Sequence, residues 1–170
     1  MVYCESYSDE EVVRGLEGAK SIILVGCPGC ANTSLYLKND PEGSAMLTIS
    51  PTGFTAVSMK SEMDRLQRLL SLKGLNVDTF GGKYPLGILC VPDKRGKHKI
   101  INNCQGYDAI VTLCCDGGTK SISKILKGKK IVPAMKGAGI LSALMKTNLI
   151  FTKLSIEKGS VDIVKFTMDN

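Results

Sequence analysis

The spacing of apolar and polar residues changes period several times along this chain, and each change predicts an element. Ser21-Ile22-Ile23-Leu24-Val25-Gly26 is almost continuously apolar, the pattern of a strand buried on both faces, as in parallel sheets. Ahead of it, Ser8-Asp9-Glu10-Glu11 is a capping box that opens a short helix ending near Gly18, with Val12, Val13 and Leu16 on its apolar face. Beyond the strand, residues 31–38 predict a helix, Asn39-Asp40-Pro41-Glu42-Gly43 a turn, and residues 45–49 a second strand. Met59, Met63, Leu66, Leu69 and Leu70 then recur at helical spacing, in a helix that Ser58 or Ser61 caps and Gly74 stops.

The second half predicts strands at residues 75–80, 86–91 and 109–114, a helix at 119–126, a strand at 130–135 and a short helix at 139–145. Strand, loop and helix thus alternate, which predicts a doubly wound, mostly parallel, Rossmann-like α/β sheet. From residue 148 the period falls to two, and residues 149–156 and 161–166 predict a C-terminal β-hairpin. We therefore expect a cysteine-bearing α/β domain over 1–147, with 148–170 as a hairpin of the same domain.

At 170 residues and 44% hydrophobic content the chain can bury a substantial core without disulfide staples. It carries neither a run of about 20 apolar residues nor a signal-peptide pattern at Met1-Val2-Tyr3-Cys4-Glu5, so the expected location is cytoplasmic, with no membrane contact. In that compartment seven cysteines stay reduced, which directs attention to metal binding or redox chemistry. The net charge of +6 comes from lysine groups at Lys94, Arg95, Lys97 and Lys99 and at Lys120, Lys124, Lys127, Lys129 and Lys130. These suit an acidic protein partner or a plain solvated surface. With no aromatics interleaved among them, they argue against nucleic acid.

Chemistry concentrates where strands end. Cys27 and Cys30 follow the first buried strand, Cys90 closes residues 86–90, and Cys114 and Cys115 close the 109–114 strand. Ligands of open α/β sheets bind at such ends, so Cys27, Cys30, Cys90 and Cys115 are the candidate metal-ligating thiols. Side chains alternate on a strand, so Cys114 and Cys115 diverge, and Cys115, nearer the loop, is the preferred ligand. Four thiolates suit a tetrahedral zinc or an iron–sulfur cluster, and Gly29, Gly117 and Gly118 let backbone amides approach anionic sulfur, which favours the cluster. Alternatively, Cys27 and Cys30 form a dithiol of the thioredoxin type, Cys27 attacking and Cys30 resolving, with Pro133 as a neighbouring proline. Packing alone is the first reading for Cys4 and Cys104, and solvent exposure for His98, the single histidine. Asp116-Gly117-Gly118-Thr119 carries a weak signal for anion binding. No G-x-G-x-x-G, P-loop, nucleophile elbow or H-E-x-x-H occurs, which disfavours dinucleotide, phosphoryl-transfer, serine-hydrolase and zinc-protease chemistry.

The segments Ile23-Leu24-Val25-Gly26-Cys27-Pro28-Gly29-Cys30-Ala31 and Tyr107-Asp108-Ala109-Ile110-Val111-Thr112-Leu113-Cys114-Cys115-Asp116-Gly117-Gly118 together resemble the MetV-like family, the C-terminal-type domain associated with bacterial methylenetetrahydrofolate reductases. A looser likeness surrounds Cys90. The resemblance implies an accessory or electron-transfer subunit of one-carbon metabolism that accompanies a flavin-containing oxidoreductase subunit and carries an iron–sulfur cluster, a 4Fe-4S centre, on Cys27, Cys30, Cys90 and Cys115. In place of the family's further cysteine, four residues after the second, this chain has Ser34, and it has the 149–166 segment where the family often continues into a cysteine-rich tail.

Overall fold

The structure, a computed structural model, describes residues 1–39, 45–50, 53–81 and 88–167. The chain opens with β1 (Val2–Ser6), α1 (Asp9–Gly15), β2 (Ser21–Gly26), α2 (Cys30–Asn39), β3 (Leu47–Ser50), β4 (Gly53–Ala56) and α3 (Val57–Leu72). It continues through β5 (Asn76–Gly81), α4 (Lys94–Cys104), β6 (Ala109–Leu113), α5 (Asp116–Ile125), β7 (Lys130–Pro133), β8 (Met135–Ser142), β9 (Met145–Thr147), β10 (Lys153–Ile156) and β11 (Asp162–Lys165). Of the turn expected at 39–43, Asn39 is instead the last residue of α2 and residues 40–43 lie outside the described residues, as do the first residues of the expected 86–91 strand.

This is a mixed α/β protein with one parallel sheet of four strands, in the order β5-β2-β6-β7. β2 and β6 are central; the 21–26 run predicted to be buried on both faces is buried apart from Ser21 at the entrance, and β6 is buried throughout as well. The crossover from β2 to β5 travels one way along the sheet and the return from β5 to β6 the other. Right-handed connections therefore put α3 on one face and α4 with α5, which pack on each other, on the opposite face.

The remaining sheets are antiparallel, which corrects the expectation of a mostly parallel, Rossmann-like architecture. One has the order β1-β8-β11 and the other β4-β3-β10-β9. Of residues 139–145, expected to be helical, 139–142 instead continue β8 between β1 and β11, and Met145 opens β9. Gly139 explains the choice, because a Cβ there would stand 2.4 Å from the Val164 carbonyl oxygen, so only glycine lets β11 approach this closely. The expected C-terminal hairpin does not form either: β10 pairs with β3 and β9, whereas β11 pairs with β8. A period of two marks a strand without naming its partner.

Local signals fared better at the helices. Ser8 caps α1 and Glu11 completes the box. In contrast, neither Ser58 nor Ser61 caps α3, whose N-cap is Ala56. Its first amides are satisfied from a distance. Val57 N–H donates to the Met46 carbonyl (3.1 Å), and Met59 N–H donates to Oδ1 of the buried Asn32 on α2 (2.9 Å). Asn32 Nδ2 also donates to the Met46 carbonyl (3.2 Å), so one amide side chain locks α2, the approach to β3 and the start of α3 together.

Candidate functional site

The crossovers after β2 and after β6 leave in opposite directions, toward β5 and β7, which opens a crevice at the carboxyl ends of the two central strands. The Cys27-Pro28-Gly29-Cys30 loop enters it from β2, and its start is pinned by the bond from Cys27 N–H to the Leu113 carbonyl at the end of β6 (3.1 Å). Cys30 is the first residue of α2, and Cys115 is the N-cap of α5. Cys90 arrives by a third route. The described part of the expected 86–91 strand is a turn that leads into α4, with Leu89 buried and Cys90 exposed.

These thiols are mutual electrostatic neighbours. Charge on Cys115 opposes charge on Cys4, Cys27, Cys90 and Cys114, and charge on Cys30 opposes charge on Cys4, Cys27 and Cys90. All seven cysteines are free thiols. Cys27, Cys30, Cys90 and Cys115 thus lie within range of one another's charge, and Cys4 on β1 lies within range of Cys30 and Cys115. Cys104 is different: fully buried on α4, it is pushed up to about 12 by burial alone. Burial also dominates the rise of Cys4 and Cys114 to about 12 and the upward shift of Cys27 and Cys90. Among the described residues, no three Cys, His, Asp or Glu side chains stand at the spacing needed to close on one metal ion.

The polar backbone at Leu89 and Gly29 works against burial at Cys27, and that at Cys90 and Val91 does so at Cys90, without reversing either upward shift. The three glycines singled out by sequence line this region in different ways. A Cβ on Gly29 would stand 3.7 Å from Cys27 Sγ, and one on Gly117 would stand 3.4 Å from Cys90 Cβ and 3.8 Å from Cys115 Sγ. Gly118 is tighter, since a Cβ there would come within 2.8 Å of Cys114 Sγ. Cys114 Sγ also lies 3.4 Å from Thr119 Oγ1, so this thiol is held against α5 while Cys115 meets Gly117.

Other sequence signals find their places away from chemistry. The Asp116 carboxylate accepts the Gly137 N–H (2.7 Å), which ties the start of α5 to β8, while Gly118 packs on Cys114. Pro133 lies on β7, paired with Thr112, and β6 separates it from β2 and the Cys27 loop. His98 is exposed on α4 among Lys94, Arg95, Lys97 and Lys99, all of them also exposed. Lys129 Nζ and Lys130 Nζ bind the carbonyls of Tyr107 (2.9 Å) and Glu17 (2.6 Å), so part of the second lysine group serves the fold. Among the described residues no helix is long and apolar enough to cross a membrane. Comparisons with protein-family models, curated proteins and solved structures find no match to this chain.

Proposed function

We propose that the thiol-lined crevice binds an iron–sulfur cluster of the 4Fe-4S type through Cys27, Cys30, Cys90 and Cys115, and that the chain is an accessory electron-transfer subunit of a flavin-containing oxidoreductase, such as a methylenetetrahydrofolate reductase. One observation supports the reading: Cys27, Cys30, Cys90 and Cys115, from three separate segments, lie within range of one another's charge near the carboxyl ends of the central strands. Each thiolate of a four-iron cluster binds a different iron, so its ligands stand further apart than the four sulfurs around one zinc. When bound, the cluster supplies one-electron chemistry, and the chain's residues hold it and set its potential through amide hydrogen bonds and burial.

The stand-alone dithiol reading has less support. An attacking thiolate needs a lowered pKa, whereas burial pushes Cys27 up and Pro133 is a strand removed. A partner surface is supported at the β9–β10 turn, where Leu149, Ile150 and Phe151 are exposed and Asn148 Oδ1 accepts the amides of Thr152 (2.8 Å) and Lys153 (2.9 Å). With Lys146 and Lys153 exposed at its base, this knob fits an apolar recess with an acidic rim on the flavoenzyme subunit. Spectra of anaerobically reconstituted protein test the cluster. We expect broad visible absorbance that bleaches on reduction and an EPR signal from the reduced state; a colourless chain that catalyses disulfide exchange through Cys27 and Cys30 would support the dithiol instead.

A further inference from the structure

The sequence offers no reason to place Cys4 with the other thiols, and yet three features of β1 put it there. It is the one fully buried residue of its strand, in a segment whose other four residues are half-exposed. The ladder with β8 slips at this point: Tyr3 is opposite Gly139 and Cys4 opposite Gly137, so Ala138 is an extra residue. Two short connections then fix where Cys4 sits. On one side its N–H donates to Ser34 Oγ (2.8 Å), which itself donates to the Cys30 carbonyl (2.9 Å). On the other, its register partner Gly137 donates to the Asp116 carboxylate (2.7 Å), one residue beyond Cys115.

From this placement between the starts of α2 and α5 we propose that Cys4 is a thiolate ligand of the same centre, closing its buried side. The inference rests on the cluster reading above and deepens it. When Cys4 takes the place of Cys90, the Cys4 S–H bond and the Cys90 sulfur–iron bond break, a Cys4 sulfur–iron bond forms and the proton passes to the Cys90 thiolate, with no change in oxidation state. A four-iron cluster takes four protein thiolates, so a fifth makes one of them exchangeable. Cys90, exposed on its turn, is the one placed to leave.

The full-length chain and its Cys4→Ser, Cys4→Ala and Cys104→Ser variants, purified anaerobically, decide the matter by iron and sulfide content and by EPR of the reduced protein. The alanine variant keeps the test standing if serine in the buried strand impairs folding, which circular dichroism reads. We expect Cys104→Ser to match the parent and the Cys4 variants to lose at least half of the iron and sulfide or to shift the EPR signal. A folded Cys4 variant with the parent's iron, sulfide and EPR overturns this inference and leaves the cluster standing. A parent chain with neither iron nor sulfide overturns both.

Discussion

At the scale of single residues, the crevice is shaped by contacts tight enough to be tested one atom at a time. A methyl group at Gly118 would meet Cys114 Sγ at 2.8 Å and Cys114 Cβ at 2.9 Å, inside a strand end with no exposed surface. Gly118→Ala should therefore cost about 1–3 kcal/mol by overpacking, read as a lower urea midpoint at unchanged slope. Gly117→Ala, whose Cβ would sit at an ordinary contact distance of 3.4 Å, should leave the midpoint nearly unchanged, and equal losses for the two would contradict this packing. Asn32 is a second such point. In Asn32→Ala the Met46 carbonyl keeps its bond from Val57, but the Met59 N–H is left unpaired in the interior, a loss of about 1–3 kcal/mol. An unaltered melting curve would show that α2 does not hold the start of α3.

At the scale of elements, the entrance of the parallel sheet is fixed by one carboxylate. Asp108, just before β6, accepts the amides of Ser21 (2.8 Å) and Lys20 (2.9 Å) at the start of β2. The Ser21 amide, then the Lys20 amide and the Ser21 hydroxyl, hold its carboxyl below the ordinary range. A folded value below the unfolded one means that this contribution is complete above the ordinary value of about 4 and is lost as pH falls through the lower, folded value. Thermal stability should therefore decline on acidification in that window, and Asp108→Asn should flatten the decline; an identical pH profile for the variant would refute the assignment. The elements legible in sequence were those set by local chemistry, such as the Ser8 capping box and the apolar runs of β2 and β6. Helix α4 was hidden, because Lys94, Arg95 and Lys97 crowd a helix start that favours negative charge, and only Gly96, Ile100 and Cys104 face inward. β8 was misread for the opposite reason: its glycines look like helix punctuation but serve close strand approach.

At the scale of the whole molecule, strand partners were the least legible feature, since pairing depends on which surfaces remain uncovered after the helices pack. Hence the parallel sheet could be anticipated, and the two antiparallel sheets that recruit β1, β10 and β11 could not. The same asymmetry governs the site. Cys27, Cys30 and Cys115 were readable because each follows or closes a buried strand of the parallel sheet. Cys90, expected at a strand end, stands on a turn instead, while Cys4 is placed by the β1–β8 pairing, which local sequence does not reveal. The central claim is that this convergence holds iron and sulfide. Its most direct test is the content of iron, acid-labile sulfide and zinc in the full-length chain purified without oxygen. We expect about four irons and four sulfides per chain with little zinc. Stoichiometric zinc without sulfide, or no metal at all, would contradict it.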